Sequence, residues 1–284
     1  MLKTLSGLGN SEIANALMKK ESAIKKRLQR VRKKIKKENV LFDWPEPSEL
    51  LNRLSLVHKS LYLLFNEGYY SSNPELWMRK DLCLEAMRLC KYLTEHPIAN
   101  TDTLGLMALM CYHVSRYESR IDQNGHAILL DQQDRSKWND YFIQLGHYHL
   151  EKSASLSDQK TKYQLEAFIS CQHCMAKSIE DTDWKLLKTL YQKLHQLEPS
   201  DLILLNLIIV HLHLDDVDNA KALFESLKSE NFSNKTFYYM VGVKVYEKLK
   251  DAFQIELMLE RAIHSSSNQK ENSVFIEKLN RLRN

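Results

Sequence analysis

The chain has 284 residues and a formal net charge of +4, with only 7 Gly and 5 Pro. So few turn residues exclude a strand-rich fold and a Gly-cradled nucleotide site, and neither G-x-x-x-x-G-K-[ST] nor G-x-G-x-x-G occurs. The best apolar run, Leu202–Val210, is broken by Asn206 and falls short of the roughly 18–20 residues that span a bilayer.

The charge is uneven. Residues 1–40 hold 12 Lys+Arg against 3 Glu, net +9; residues 41–284 hold 28 Lys+Arg against 33 Asp+Glu, net −5. The excess is densest over Lys19–Lys37, where eleven positive residues face Glu21 alone, net +10. Such a block attracts polyanions, nucleic acid above all. A short helix is expected first, with Ser11 as N-cap of Glu12–Leu17, then a turn at Met18-Lys19-Lys20. Ile24, Leu28, Val31 and Ile35 follow at spacings of 4, 3 and 4, one apolar stripe on a helix starting near Glu21. Ser22, Lys26, Gln29 and Lys33 lie on the opposite face, with Lys25, Arg30 and Lys36 beside them. This pair is a helix-turn-helix candidate whose second helix starts in the major groove. Ser22, Lys25 and Lys26 are expected at base edges and Arg27, Arg30 and Lys33 at phosphates, with Lys19 and Lys20 completing the DNA-contacting set. Glu21 is expected to complement the helix dipole rather than read a base.

Residues 41–47, with Pro45 and Pro47, predict a linker between a basic module (1–40) and a helical-repeat domain (48–284). Amphipathic periodicity predicts helices over 48–66, 74–94, 101–118, 134–151, 161–179, 183–197, 201–213, 216–229, 234–249, 251–264 and 271–282. Asn73-Pro74 and Thr182-Asp183 read as helix starts, Pro97 and Pro199 as stops. The fold class is all-α: a helix-turn-helix, then stacked helical hairpins. Trp184, Tyr191, Leu194 and Pro199, then Asn219-Ala220 and Phe224, resemble one tetratricopeptide unit and the opening of the next. Arrays of this kind are binding scaffolds whose concave face takes a protein or peptide.

Gly7-Leu8-Gly9-Asn10-Ser11-Glu12-Ile13-Ala14 and Ile24-Lys25-Lys26-Arg27-Leu28-Gln29-Arg30 resemble region 4 of bacterial extracytoplasmic-function sigma factors. Further segments resemble a subfamily with a tetratricopeptide-like extension: Tyr62–Tyr69, Leu82–Leu89, Leu104–Met110, Leu130–Trp138 and Thr182-Asp183-Trp184. The resemblance covers about residues 4–265. It implies a sigma-type transcription initiation factor that binds promoter DNA and core RNA polymerase, with a regulatory protein or peptide as a further partner of the helical part. Region 2, which grips the polymerase and melts the promoter in that family, has no counterpart in the chain, so it corresponds to the C-terminal part of such a factor or to a shortened relative of it. Lys20 stands where the family places a Ser-type N-cap, and Leu207 where it places Arg after Asn. The alternative is a helical-repeat interaction module that does not read DNA specifically.

Two polar motifs, Asn66-Glu67-Gly68-Tyr69 and Asp131–Trp138, invite two readings. Either Asn66, Glu67, Tyr69, Asp131, Asp134, Arg135 and Trp138 line a partner surface, or they lock the hairpins, with Asp134 or Ser136 as N-cap and Arg135 pairing a carboxylate. The locking reading is preferred. An enzyme built on Glu67, Asp131 and Asp134 lacks a nucleophile beside a base. Cys171-x-x-Cys174 with His173 is half of a zinc site, and His147-x-His149 and His211-x-His213 point to different helix faces, so no metal and no cofactor are expected. Five cysteines without paired spacing, and no apolar core before the first charges, predict a cytoplasmic protein with no membrane partner.

Overall fold

The computed structural model describes residues 2–4, 7–17, 19–39, 45–71, 78–122, 128, 130–232, 235–266 and 269–283. The fold is all-α: thirteen α-helices and four 3-10 turns occur among these residues. The signal at Asn73-Pro74 and most of the 41–47 linker lie outside them. The chain divides into two compact units, Met1–Ser115 with Asn139–Gln159, and Arg116–Trp138 with Lys160–Asn284. The basic helices thus share a unit with the hairpins that follow them, and the division falls elsewhere than at the proline-rich linker.

The first unit holds α1 (Asn10–Ala16), α2 (Glu21–Lys37), α3 (Pro47–Tyr69), α4 (Lys80–Thr94), α5 (Thr101–Ser115) and α6 (Asp140–Leu156). α5 is its centre: Thr103 to Tyr112 are all buried, the pattern of a helix covered on every side. α3, α4 and α6 supply that cover. α6 runs antiparallel to α5. Ser153 Oγ donates to Thr101 O at 2.8 Å near one end, and the Tyr112 hydroxyl meets His147 Nδ1 at 2.8 Å near the other. Gly146 permits this approach, because a Cβ there would lie 2.7 Å from the Tyr112 ring.

The second unit holds α7 (Lys162–Met175), α8 (Trp184–Leu197), α9 (Asp201–His213), α10 (Val217–Ser226), α11 (Lys235–Leu249), α12 (Ala252–Ser265) and α13 (Gln269–Arg283). Each packs on the next, and α9 also packs on α11. Asp183, Asp216 and Asp251 precede α8, α10 and α12 at spacings of 33 and 35 residues. The turns before α10 and α12 are alike. Asp215 (φ 55°) and Lys250 (φ 57°) take the left-handed conformation, and the next residue's N–H reaches back to His211 O (3.0 Å) or Tyr246 O (3.1 Å). The two turns thus share one geometry, and α9–α10 and α11–α12 pack as helical hairpins joined by it. Their shared core includes Leu205, Ile208, Phe224, Val243 and Leu259.

Candidate nucleic-acid interface

The helix-turn-helix is built from a very short first helix. Gly9, not Ser11, is its N-cap, because Glu12 folds back and its carboxylate accepts from the Gly9 N–H. Glu12 is the third helical residue, where a carboxylate satisfies an orphan donor and complements the dipole. Leu8, Ile13 and Ala14 are buried and fasten α1 to the unit. α2 then docks on α1. Ile24 is buried, Leu28 and Ile35 are half-buried, and Val31 is 48% exposed. Seven residues make about 10 Å of helix and seventeen about 25 Å, so α1 is too short to cover the whole stripe.

Lys19, Lys20, Ser22, Lys25, Lys26, Arg27, Arg30 and Lys33 are all exposed. Lys25 pairs with Glu21 at 3.0 Å, which removes Glu21 from a free role at the helix start. Among the described residues, Lys19, Lys20, Lys26, Arg27, Arg30 and Lys33 make no ion pair. Lys20 is the N-cap and provides no side-chain cap; its carbonyl accepts from Ala23 N–H at 2.9 Å and Ile24 N–H at 3.2 Å. At 100° per residue, Ser22, Lys26 and Lys33 project opposite the docked Ile24, and Arg27 and Arg30 flank them on one side. A helix with this much uncompensated like charge repels itself, and a polyanion relieves the repulsion.

The two polar motifs fall in different units. In the first, Asn66 is half-buried and Glu67 and Tyr69 are buried at the end of α3. Tyr69 packs edge-on against His113 with centroids 4.6 Å apart. A Cβ on Gly68 would lie 2.6 Å from Cys83 Sγ and 2.9 Å from Arg79 O, so this glycine lets α3 and α4 close.

Among the described residues of the second unit Arg135 pairs no carboxylate. Its Nη1 donates to His173 O and Ala176 O, both at 2.5 Å, and so caps the C-terminus of α7. Its guanidinium also lies 4.9 Å from the Trp138 ring, with that of Arg116 at 5.8 Å. Trp138 Nε1 donates to Ser119 Oγ at 2.8 Å in the interior. Asp134 caps only the 3-10 turn Arg135–Lys137, through Ser136, whose bonds hold its carboxyl below the usual range. The helix expected over 134–151 begins at Asp140, with Asn139 as its cap. Asp131 pairs with Lys244 of α11 at 2.9 Å. These contacts support the locking role for Arg135, Trp138 and Asp131 and leave Asp134 at the surface.

His173 is buried, and burial first, then Arg116 and Arg135, push its pKa down to about 3. Cys171 is buried and Cys174 half-buried, and neither is in a disulfide among the described residues. Among the described residues no group of three or more His, Cys, Asp or Glu is placed to hold a metal ion. His147 and His149 do point apart, His147 to Tyr112 and His149 into the interior. His211 bonds Asp216 at 2.8 Å, while His213 stacks on Trp184 at 3.8 Å. Beside His213 a cleft of about 450 Å³ opens, lined by Ile209 and Leu212 of α9 and Lys244 and Lys248 of α11.

Residues 53–154 match a family of unknown function, DUF6596; the stretch runs from within α3 to within α6. The chain is also similar to an uncharacterized protein of Rhizobium meliloti (strain 1021). The two are 32% identical over 270 residues, which is 95% of this chain and 63% of that relative. The chain therefore spans under two thirds of the length of the curated relative it matches. No solved structure matches it significantly.

Proposed function

We propose that the chain reads promoter DNA as part of a sigma-type transcription initiation factor, with α1–α2 as its region 4 helix-turn-helix and RNA polymerase core as its partner. The observation that carries this reading is the net charge of +10 over Lys19–Lys37 on a helix that buries one residue, Ile24. The resemblance of residues 7–14 and 24–30 to region 4 supports it from the sequence. Ser22, Lys25 and Lys26 take the base edges, and Arg27, Arg30 and Lys33 hold phosphates, with Lys19 and Lys20 at the groove edge. The work is done in the bacterial cytoplasm; no described helix is long and apolar enough to cross a membrane.

The stacked hairpins serve protein interaction rather than chemistry. The cleft between α9 and α11 supports this part, since it sets an apolar floor inside a mixed-charge rim of Asp215, Lys244, Glu247 and Lys248 and has the size of a peptide subsite. It equally favours the second reading, a helical-repeat interaction module that does not read DNA specifically.

Selection of duplexes from a random pool tests the proposal. The wild type enriches a consensus, Lys26→Ala relaxes it at one or two positions, and Arg30→Ala weakens all duplexes alike. A pool left unenriched by the wild type supports the second reading instead.

A further inference from the structure

Besides the packing of α1 on α3, an ion pair ties the helix-turn-helix to the helical hairpin α3–α4. Arg79 Nη1 donates to Glu12 Oε1 at 2.9 Å, and the pair is only partly exposed, 29% and 21% for the two side chains. The other oxygen of the same carboxylate accepts from Gly9 N–H. Glu12 therefore caps α1 and binds Arg79 with one group.

Arg79 is itself fixed by its main chain. It is the N-cap of α4, its N–H donates to Gly68 O at 2.7 Å, and its carbonyl accepts from Leu82 and Cys83. The close packing at Gly68 leaves that carbonyl little room to move. Asp81 holds the second arm of the guanidinium at 3.1 Å. The side chain is thus a short bracket, rooted where α3 meets α4 and clamped on the first turn of α1. Since α2 packs on α1, the bracket also sets the direction in which the cationic face of α2 points.

We propose that Arg79 is a positioning residue that couples the α3–α4 hairpin to the DNA-contacting helix by gripping Glu12. The inference rests on the DNA-reading proposal for its functional part. Without the bracket α1 and α2 stay helical but sample several orientations, and a duplex must then order them on binding.

The test uses the full chain and its variants Arg79→Gln, Arg79→Lys, Glu12→Gln and the double glutamine variant. Hydrogen exchange is followed in 10–17, 21–28 and 80–94, and binding is measured to a mixed-sequence DNA duplex at low salt. Arg79→Gln should speed exchange in the first two segments and leave α4 unchanged, and it should weaken duplex binding about threefold to tenfold. Arg79→Lys should fall between, and the double variant should lose less than the sum of the two single losses, since both substitutions remove the shared Arg79–Glu12 contact. Unchanged exchange in residues 10–17 overturns the bracket, as does additive loss in the double variant. Faster exchange with unchanged duplex binding overturns the coupling to DNA. If the wild type binds no duplex, the DNA-reading proposal falls, and exchange alone decides whether Arg79 holds α1.

Discussion

Arg135 and Asp134 are neighbours in one polar motif, yet the structure gives them unequal weight. Arg135→Ala removes two charge-assisted hydrogen bonds to the last carbonyls of α7, together with a cation–π contact to Trp138. Hydrogen bonds to a charged donor contribute about 1.5–3 kcal/mol, and a partly exposed cation–π contact about 0.5–1. Two such bonds and the ring contact together come to about 3.5–7 kcal/mol. For a unit of this size each kcal/mol lowers Tm by about 2–4 °C, so the second unit should melt at least about 7 °C earlier. Asp134→Ala removes the cap of a three-residue 3-10 turn at the surface and an exposed pair with Lys137 at 3.7 Å, and its Tm should fall by about 2 °C or less. Thermal unfolding followed by far-ultraviolet circular dichroism, on both variants of the full chain, reads the difference. A fall for Arg135→Ala no larger than that for Asp134→Ala would refute the reasoning. Unchanged stability with loss of a polymerase or partner contact would return both residues to a docking surface.

Other substitutions probe the packing and the buried histidines. Gly146→Ala places a Cβ 2.7 Å from the buried Tyr112 ring and should cost about 1–3 kcal/mol in the first unit, measured by urea unfolding; a neutral result would show that α5 and α6 can separate freely. Burial holds His173 at about 3 and His149 at about 4, against 6.5 in the unfolded chain. Below pH 6.5 the unfolded state takes up protons that the native state refuses, so stability drains as pH falls from 6.5 towards those lower values. His173→Gln should therefore show a smaller drop in Tm than the wild type between pH 6.5 and about 4.5, and equal drops would mean that His173 protonates without unfolding.

Most of the fold was legible because apolar periodicity and capping residues act locally. The expected helices at 183–197, 201–213 and 251–264 match α8, α9 and α12 to within a residue, and Asp183, Ser200 and Asp251 cap them by side-chain bonds. The start of α6 was misplaced because Arg135–Lys137 is as compatible with a helix as with the 3-10 turn it forms, and Asn139 is the stronger cap. The cap of α1 was readable in retrospect: Glu12 stands three residues after Gly9. Two features were not readable at all. Arg135 reaches carbonyls 38 and 41 residues away, and Arg79 reaches a carboxylate 67 residues away. Neither distance leaves a periodic trace in the sequence. The stripe on α2 was read correctly as a pattern, but its exposure depends on how short α1 is. That is a property of the pair rather than of either helix.

The central claim is that α2 is an electrostatic DNA-contacting surface, and a salt titration of duplex binding by the full chain tests it most directly. With about five phosphate contacts, the logarithm of the binding constant should fall against the logarithm of salt concentration with a slope near −4 to −5. Replacing Arg27, Arg30 and Lys33 together by Ala should make that slope shallower by about 3. Absence of binding at low salt, or a slope that the triple substitution leaves unchanged, would contradict the assignment of α2 to nucleic acid.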